Sequence, residues 1–192
     1  TELGAFVARK IESLDDAALT ARLQTIWGRV RETSEAKAGR VATLKTALNE
    51  AELARADLPR GREVFSRTCQ QCHTLFGTGG SVGPDLTGSN RADLDYLLSN
   101  VLDPNAVVGQ DYLATLVWTF DGRLVTGIQR SSTESSITLQ TENETLVVAK
   151  DEIEETRLSD ISTMPEGLLD TLAPDEIRDL IAYVQSPAQT PL

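Results

Sequence analysis

Cys69-Gln70-Gln71-Cys72-His73 holds both cysteines and the only histidine of a 192-residue chain. A Cys-x-x-Cys-His run reads as a covalent attachment site for c-type haem. Two thiols at this spacing can each add to a haem vinyl group, and the next residue then offers an imidazole to the iron. Two other chemistries use similar letters. A structural zinc site wants four Cys or His ligands, and the chain has none left to complete one. A thioredoxin-like dithiol sits in a βαβ pattern, whereas a helical run precedes Cys69 and a Gly-rich loop follows His73.

A haem iron held by His is commonly completed by Met in electron-transfer proteins. The single methionine, Met164, stands in Ser162-Thr163-Met164-Pro165-Glu166-Gly167, just before an amphipathic helix. Met is also an ordinary gap-filler of cores, so at this level it is either the second ligand or packing.

Arg60-Gly61-Arg62-Glu63-Val64-Phe65, the Cys69–His73 run, Gly83-Pro84-Asp85-Leu86-Thr87-Gly88, Met164-Pro165 and Glu176-Ile177-Arg178-Asp179-Leu180-Ile181-Ala182-Tyr183 together resemble a class I cytochrome c. More closely, residues 58 to 186 are similar to the haem-binding cytochrome domain at the C-terminal end of large proteins of planctomycetes and related bacteria, often behind a propeller-type dehydrogenase. The resemblance implies one covalent haem c on Cys69 and Cys72, His73 and Met164 as axial ligands, and Pro84 supporting the histidine, with Leu86 beside the cofactor. It also implies that Gly61 and Phe65 meet Ile181 and Tyr183 where two helices cross. An electron carrier rather than an enzyme is expected, accepting electrons from a dehydrogenase or another redox protein. The alternative is a haem sensor or peroxidase-like enzyme with an open distal position, for which no second His or acid–base pair speaks. A third possibility is an interaction module whose haem is structural.

His73 and Met164 lie further apart than in a small cytochrome c, and the intervening sequence changes period. Leu113 to Phe120, Leu124 to Gln129, Ser136 to Gln140, Thr145 to Ala149 and Ile153 to Thr156 are short runs rich in β-branched residues. Asp121-Gly122 and Glu142-Asn143 supply turns. The expected fold is therefore α+β: a mainly helical cytochrome c domain over 57–192, interrupted at 112–157 by a small antiparallel sheet or barrel, behind a helical extension over 1–56. In that extension Ser13 is expected to cap a helix whose stripe is Leu14, Ala18, Leu19, Leu23, Ile26, Trp27 and Val30. A second helix carries Val41, Leu44, Leu48 and Leu53. Further on, Asn90 and Asp93 signal a helix with Leu97 and Leu98 on its apolar face, either haem wall or core.

Eighteen basic against 29 acidic residues give a net charge of −11, which disfavours nucleic acid and anionic membrane as partners. No apolar run is long enough to span a bilayer. No leader is visible at Thr1, so a mature form or an excised domain is expected, and covalent haem attachment places it in the periplasm or otherwise outside the cytoplasmic membrane.

Overall fold

A computed structural model describes residues 5–141 and 143–191. In chain order it holds α1 (Ala5–Glu12), α2 (Ala17–Ile26), β1 (Gly28–Val30), α3 (Glu35–Ala47), α4 (Glu50–Leu53), α5 (Leu58–Thr68), β2 (Thr74–Leu75), β3 (Thr78–Gly79), α6 (Leu94–Leu102) and β4 (Val107–Gly109). These are followed by β5 (Leu113–Thr119), β6 (Leu124–Ser132), β7 (Ser136–Gln140), β8 (Thr145–Ala149), β9 (Ile153–Ser162) and α7 (Pro174–Gln185). The architecture is mixed α+β. Among the described residues no helix is long and apolar enough to cross a membrane.

The helical core is built on the crossing of α5 and α7. Asp57 caps α5 by accepting the Arg60 N–H at 3.0 Å, and Pro59 occupies the first turn, where its missing donor costs nothing. The helices touch at Gly61: a Cβ there would lie 2.1 Å from the Asp179 carbonyl oxygen, so any side chain would push them apart. One turn on, the Phe65 and Tyr183 rings meet edge to face at 5.6 Å. Val64, Leu98 and Ile181 are buried with them, each such side chain contributing about 1.5–3 kcal/mol of transfer free energy. Leu97 and Leu98 thus belong to the buried cluster.

Buried in that crossing is a charge. Asp179 is 0% exposed, and its carboxylate accepts from Arg60 Nε at 2.5 Å, from Arg178 Nε at 2.9 Å and from the Asp57 N–H at 3.1 Å. It therefore ties the start of α5 to the middle of α7.

Glu176 reaches back to the Ala173 N–H at 2.9 Å, closing half of a capping box, and pairs with Arg67. These contacts, the backbone bond first, hold its carboxyl below the ordinary glutamate range. A depressed folded-state pKa means a contribution present above about pH 4.3 and lost as pH falls through the folded value. The gap in urea midpoint between wild type and Glu176→Ala is expected to be widest near neutrality and to close below about pH 4.

The N-terminal segment departs from expectation. Ser13 does not start a helix: its hydroxyl donates to the Lys10 carbonyl at the end of α1, and Asp16 caps α2 through the Ala18 and Leu19 N–H groups at 2.9 and 3.0 Å. The expected stripe is broken as well. Leu14 is 65% and Ile26 70% exposed, while Val30 lies in β1, which pairs antiparallel with β4. Aspartate caps as well as serine does, and apolar spacing carried through the 13–16 break counted residues from different elements as one face. Leu23, Val30 and Val107 instead form a small core with Ala8. The second expected helix is split: α3, capped by Ser34, ends at Ala47 with Leu48 as its C-cap, and Asn49 caps a separate α4 that carries Leu53, although Val41, Leu44, Leu48 and Leu53 all lie in or against the main core.

The five expected strands are present and form an open antiparallel sheet in the order β8-β7-β6-β5-β9, with β8 and β9 as edges rather than a closed barrel. Asp121-Gly122 makes the first turn: Gly122 adopts φ 83°, and Asp121 Oδ1 accepts the Thr119 hydroxyl at 2.5 Å. Glu142 of the second expected turn lies outside the described residues. Val117, Ile137, Leu139 and Val148 fill the sheet's own apolar face. β9 runs on to Ser162, well beyond the expected strand end at Thr156. The sheet thus delivers the chain to the residue next to Thr163-Met164.

Candidate haem site

α5 ends where the motif begins. Cys69 terminates the helix, its N–H still bonded to the Phe65 carbonyl at 2.9 Å, and the Cys72 and His73 N–H groups turn back to the Cys69 carbonyl at 3.1 and 3.0 Å. One tight turn therefore presents both sulfurs and the imidazole. Neither cysteine is in a disulfide. Burial pushes the Cys69 thiol up, partly offset by the Thr68 hydroxyl 3.3 Å from Sγ.

His73 is oriented by the loop that follows it. Nδ1 lies 2.9 Å from the Pro84 carbonyl oxygen. A carbonyl only accepts, so Nδ1 carries the proton and the Nε2 lone pair is left for a metal. Burial also lowers the imidazole pKa, against the smaller opposing effect of the Pro84 bond, which favours the neutral ring that a metal requires. Gly83 lies directly on that ring: a Cβ there would sit 2.4 Å from His73 Cε1.

Between His73 and Pro84 the chain makes the β2–β3 hairpin, turning at Phe76 and Gly77 with φ 51° and 77°. A bulky residue with positive φ is uncommon. Phe76 is held there by packing: its ring meets Tyr183 edge on at 6.3 Å, and the Arg91 guanidinium lies 4.8 Å from its centre. Leu86 donates its N–H to the Thr74 carbonyl at 2.8 Å and places its side chain on the main core, as does Cys69. The structure thus gathers Cys69, Cys72, His73, Pro84 and Leu86 around one turn and one loop.

Met164 sits apart in sequence, in the loop that joins β9 to the 3₁₀ turn Leu168–Thr171. It is half-buried, its N–H donates to Ser162 Oγ at 3.1 Å, and it is not among the apolar side chains packed on the main core. Filling that core is therefore not its role.

The sheet reaches the motif and its loop through polar contacts with no local signature in the sequence. Arg130 of β6 donates to the Ser81 carbonyl, and Gln71 Nε2 donates to Asn143 Oδ1 at 3.2 Å. Among the described residues no group of three or more His, Cys, Asp or Glu side chains could hold a metal ion by itself. The donor set is therefore two thiols and one prepared imidazole nitrogen. That set fits haem c, to whose vinyl groups the two thiols would add and whose iron the imidazole nitrogen would bind.

Comparison with known families agrees over part of the chain. A family model described as cytochrome C oxidase, cbb3-type, subunit III matches residues 56–112, less than a third of the sequence. The match begins beside the Asp57 cap and ends where β5 begins, so it contains the Cys69–His73 motif and Pro84 but neither the sheet nor Met164. It supports a c-type cytochrome domain and, with it, haem-based electron transfer. Among curated proteins none matches the chain.

Proposed function

We propose that this protein is a monohaem c-type cytochrome that carries single electrons, with His73 and Met164 as the axial ligands of one haem c attached to Cys69 and Cys72. When bound, that haem supplies a one-electron ferric/ferrous couple. The observation that carries the reading is the hydrogen bond from His73 Nδ1 to the Pro84 carbonyl, because it leaves the Nε2 lone pair for a metal on the residue next to the turn that presents both thiols. Pro84 holds the imidazole in one tautomer, Gly83 lets the loop lie against the ring, and Leu86 contributes to the apolar surroundings. Filled axial positions suit a carrier, since neither substrate nor peroxide then has a place to bind.

The α1–α4 segment and the β5–β9 sheet fit a division into a helical extension, a cytochrome domain and a sheet inserted into it. A dehydrogenase is the donor that the sequence resemblance suggests, and a location outside the cytoplasmic membrane follows from the chemistry of attachment. Acidic excess favours a basic or neutral redox partner.

Acid–acetone extraction tests the attachment. Haem is expected to remain with the polypeptide in the wild type and to leave with the solvent in the Cys69→Ser, Cys72→Ser double variant. Haem that partitions into the organic phase from the wild type would rule the reading out.

A further inference from the structure

The loop that carries Met164 is gripped at both ends by groups outside it. On its N-terminal side, Asn105 Oδ1 accepts the Ser162 N–H at 2.8 Å. On its C-terminal side, the same side chain donates through Nδ2 to Glu166 Oε1 at 2.6 Å. One amide therefore spans the loop across Met164. Glu166 Oε1 also receives Lys37 Nζ from α3 at 2.8 Å, and that ammonium simultaneously binds Asp103 Oδ1 at 2.8 Å, a carboxylate buried at the C-terminal end of α6. Further along α3, Arg40 pairs with Asp170 just after the loop, and Lys45 pairs with Asp95 at the start of α6.

We infer that Asn105 and Glu166, anchored by Lys37 of the N-terminal extension, are positioning residues that hold the Met164 loop in its ligating conformation. The inference rests on the His73/Met164 ligation proposed above. A thioether is a weak, neutral ligand on a flexible side chain, so its occupancy depends on how little the loop moves. A short loop in which Met164 is followed at once by the exposed Pro165 has few internal contacts to hold it, whereas the amide clasp and the lysine bridge close it from outside. Charge-assisted hydrogen bonds of this kind are the stronger class. The same geometry gives α3 a part in the distal side of the site, although it lies outside the cytochrome motifs.

The test uses the ferric holoprotein and added imidazole, which competes with Met164, so that its apparent affinity reports the fraction of molecules with the loop released. Glu166→Ala and Asn105→Ala are each expected to tighten imidazole binding roughly tenfold, the loss of one or two hydrogen bonds to a charged group. Both are also expected to weaken the far-red absorption band of sulfur coordination. Glu166→Gln keeps an acceptor oxygen for Asn105 and Lys37 and is expected to stay within about threefold of wild type. Glu166 is exposed, so its variants keep the fold; Lys37 is left intact because removing it would strand buried Asp103. If Glu166→Ala and Asn105→Ala bind imidazole like wild type while Met164→Ala binds it far more tightly, the clasp is overturned and the ligation stands. If Met164→Ala itself binds imidazole no better than wild type, Met164 is not the ligand and the proposed ligation falls.

Discussion

With Met164 as the proposed second ligand, Met164→Ala is expected to remove the far-red band from the oxidised spectrum and to lower the reduction potential by on the order of 100 mV, a fraction of the roughly 0.8 V that axial ligation can span. The direction follows from the ligand. Thioether sulfur is soft and neutral, so it stabilises ferrous over ferric iron, and water or an empty position in its place does not. Met164→Leu sharpens the comparison by keeping the bulk and deleting only the sulfur, and it should match the alanine variant in potential. Because Met164 is half-buried and outside the main core, the unfolding midpoint should move far less than the potential. A redox titration followed spectroscopically reads both quantities, and an unchanged potential in both variants would remove Met164 from the site.

For Asp179→Ala the expected loss is in stability rather than potential. Its carboxylate is fully buried and neutralises Arg60 and Arg178 while accepting the Asp57 N–H at the α5 cap. Deleting one member of a buried ion network costs about 3–5 kcal/mol, because what remains is left without its partner. Both guanidiniums reach solvent, Arg60 at 40% and Arg178 at 20% exposure, so they can rehydrate in part and the lower end, about 3 kcal/mol, is expected. Urea unfolding of the holoprotein checks it. A change below about 1 kcal/mol would mean that the crossing is held by Gly61, Phe65 and Tyr183 alone.

Local rules served where the physics is local. Cys69, Cys72 and His73 stand out in the sequence because the proposed attachment chemistry needs those three groups in that order, and Met164 because the chain holds no other methionine. β5 to β9 follow from β-branched runs and the Asp121-Gly122 turn, and α7 from Pro174 with acids in its first turn. The failures lie where tertiary pairing decides. β1 is three residues long and exists because β4, far along the chain, offers Val107–Gly109 to it. Nothing near Gly28 announces that partner. The division of 1–26 failed because Asp16 outcompeted Ser13 as a cap, which shifted the whole apolar register. Asn105, Lys37 and Glu166 were invisible for the same reason as β1: each is an ordinary polar residue whose meaning comes from groups distant in sequence. Gly83 reads in sequence only as half of a Gly-Pro pair, whereas its contact with the imidazole ring is made by the fold.

The crossing at Gly61 joins residues separated by more than a hundred positions, Arg60 to Asp179 spanning 119. Its two helices are therefore synthesised well apart in time. Excising Leu113–Ser162 would roughly halve the intervening chain, and halving a loop saves only about 0.6 kcal/mol of closure entropy, so the sheet is thermodynamically a light interruption. Kinetically it is not. Contacts of such long range slow folding. A chain lacking the sheet is therefore expected to close the α5–α7 crossing, and with it the core behind Cys69, faster than the wild type.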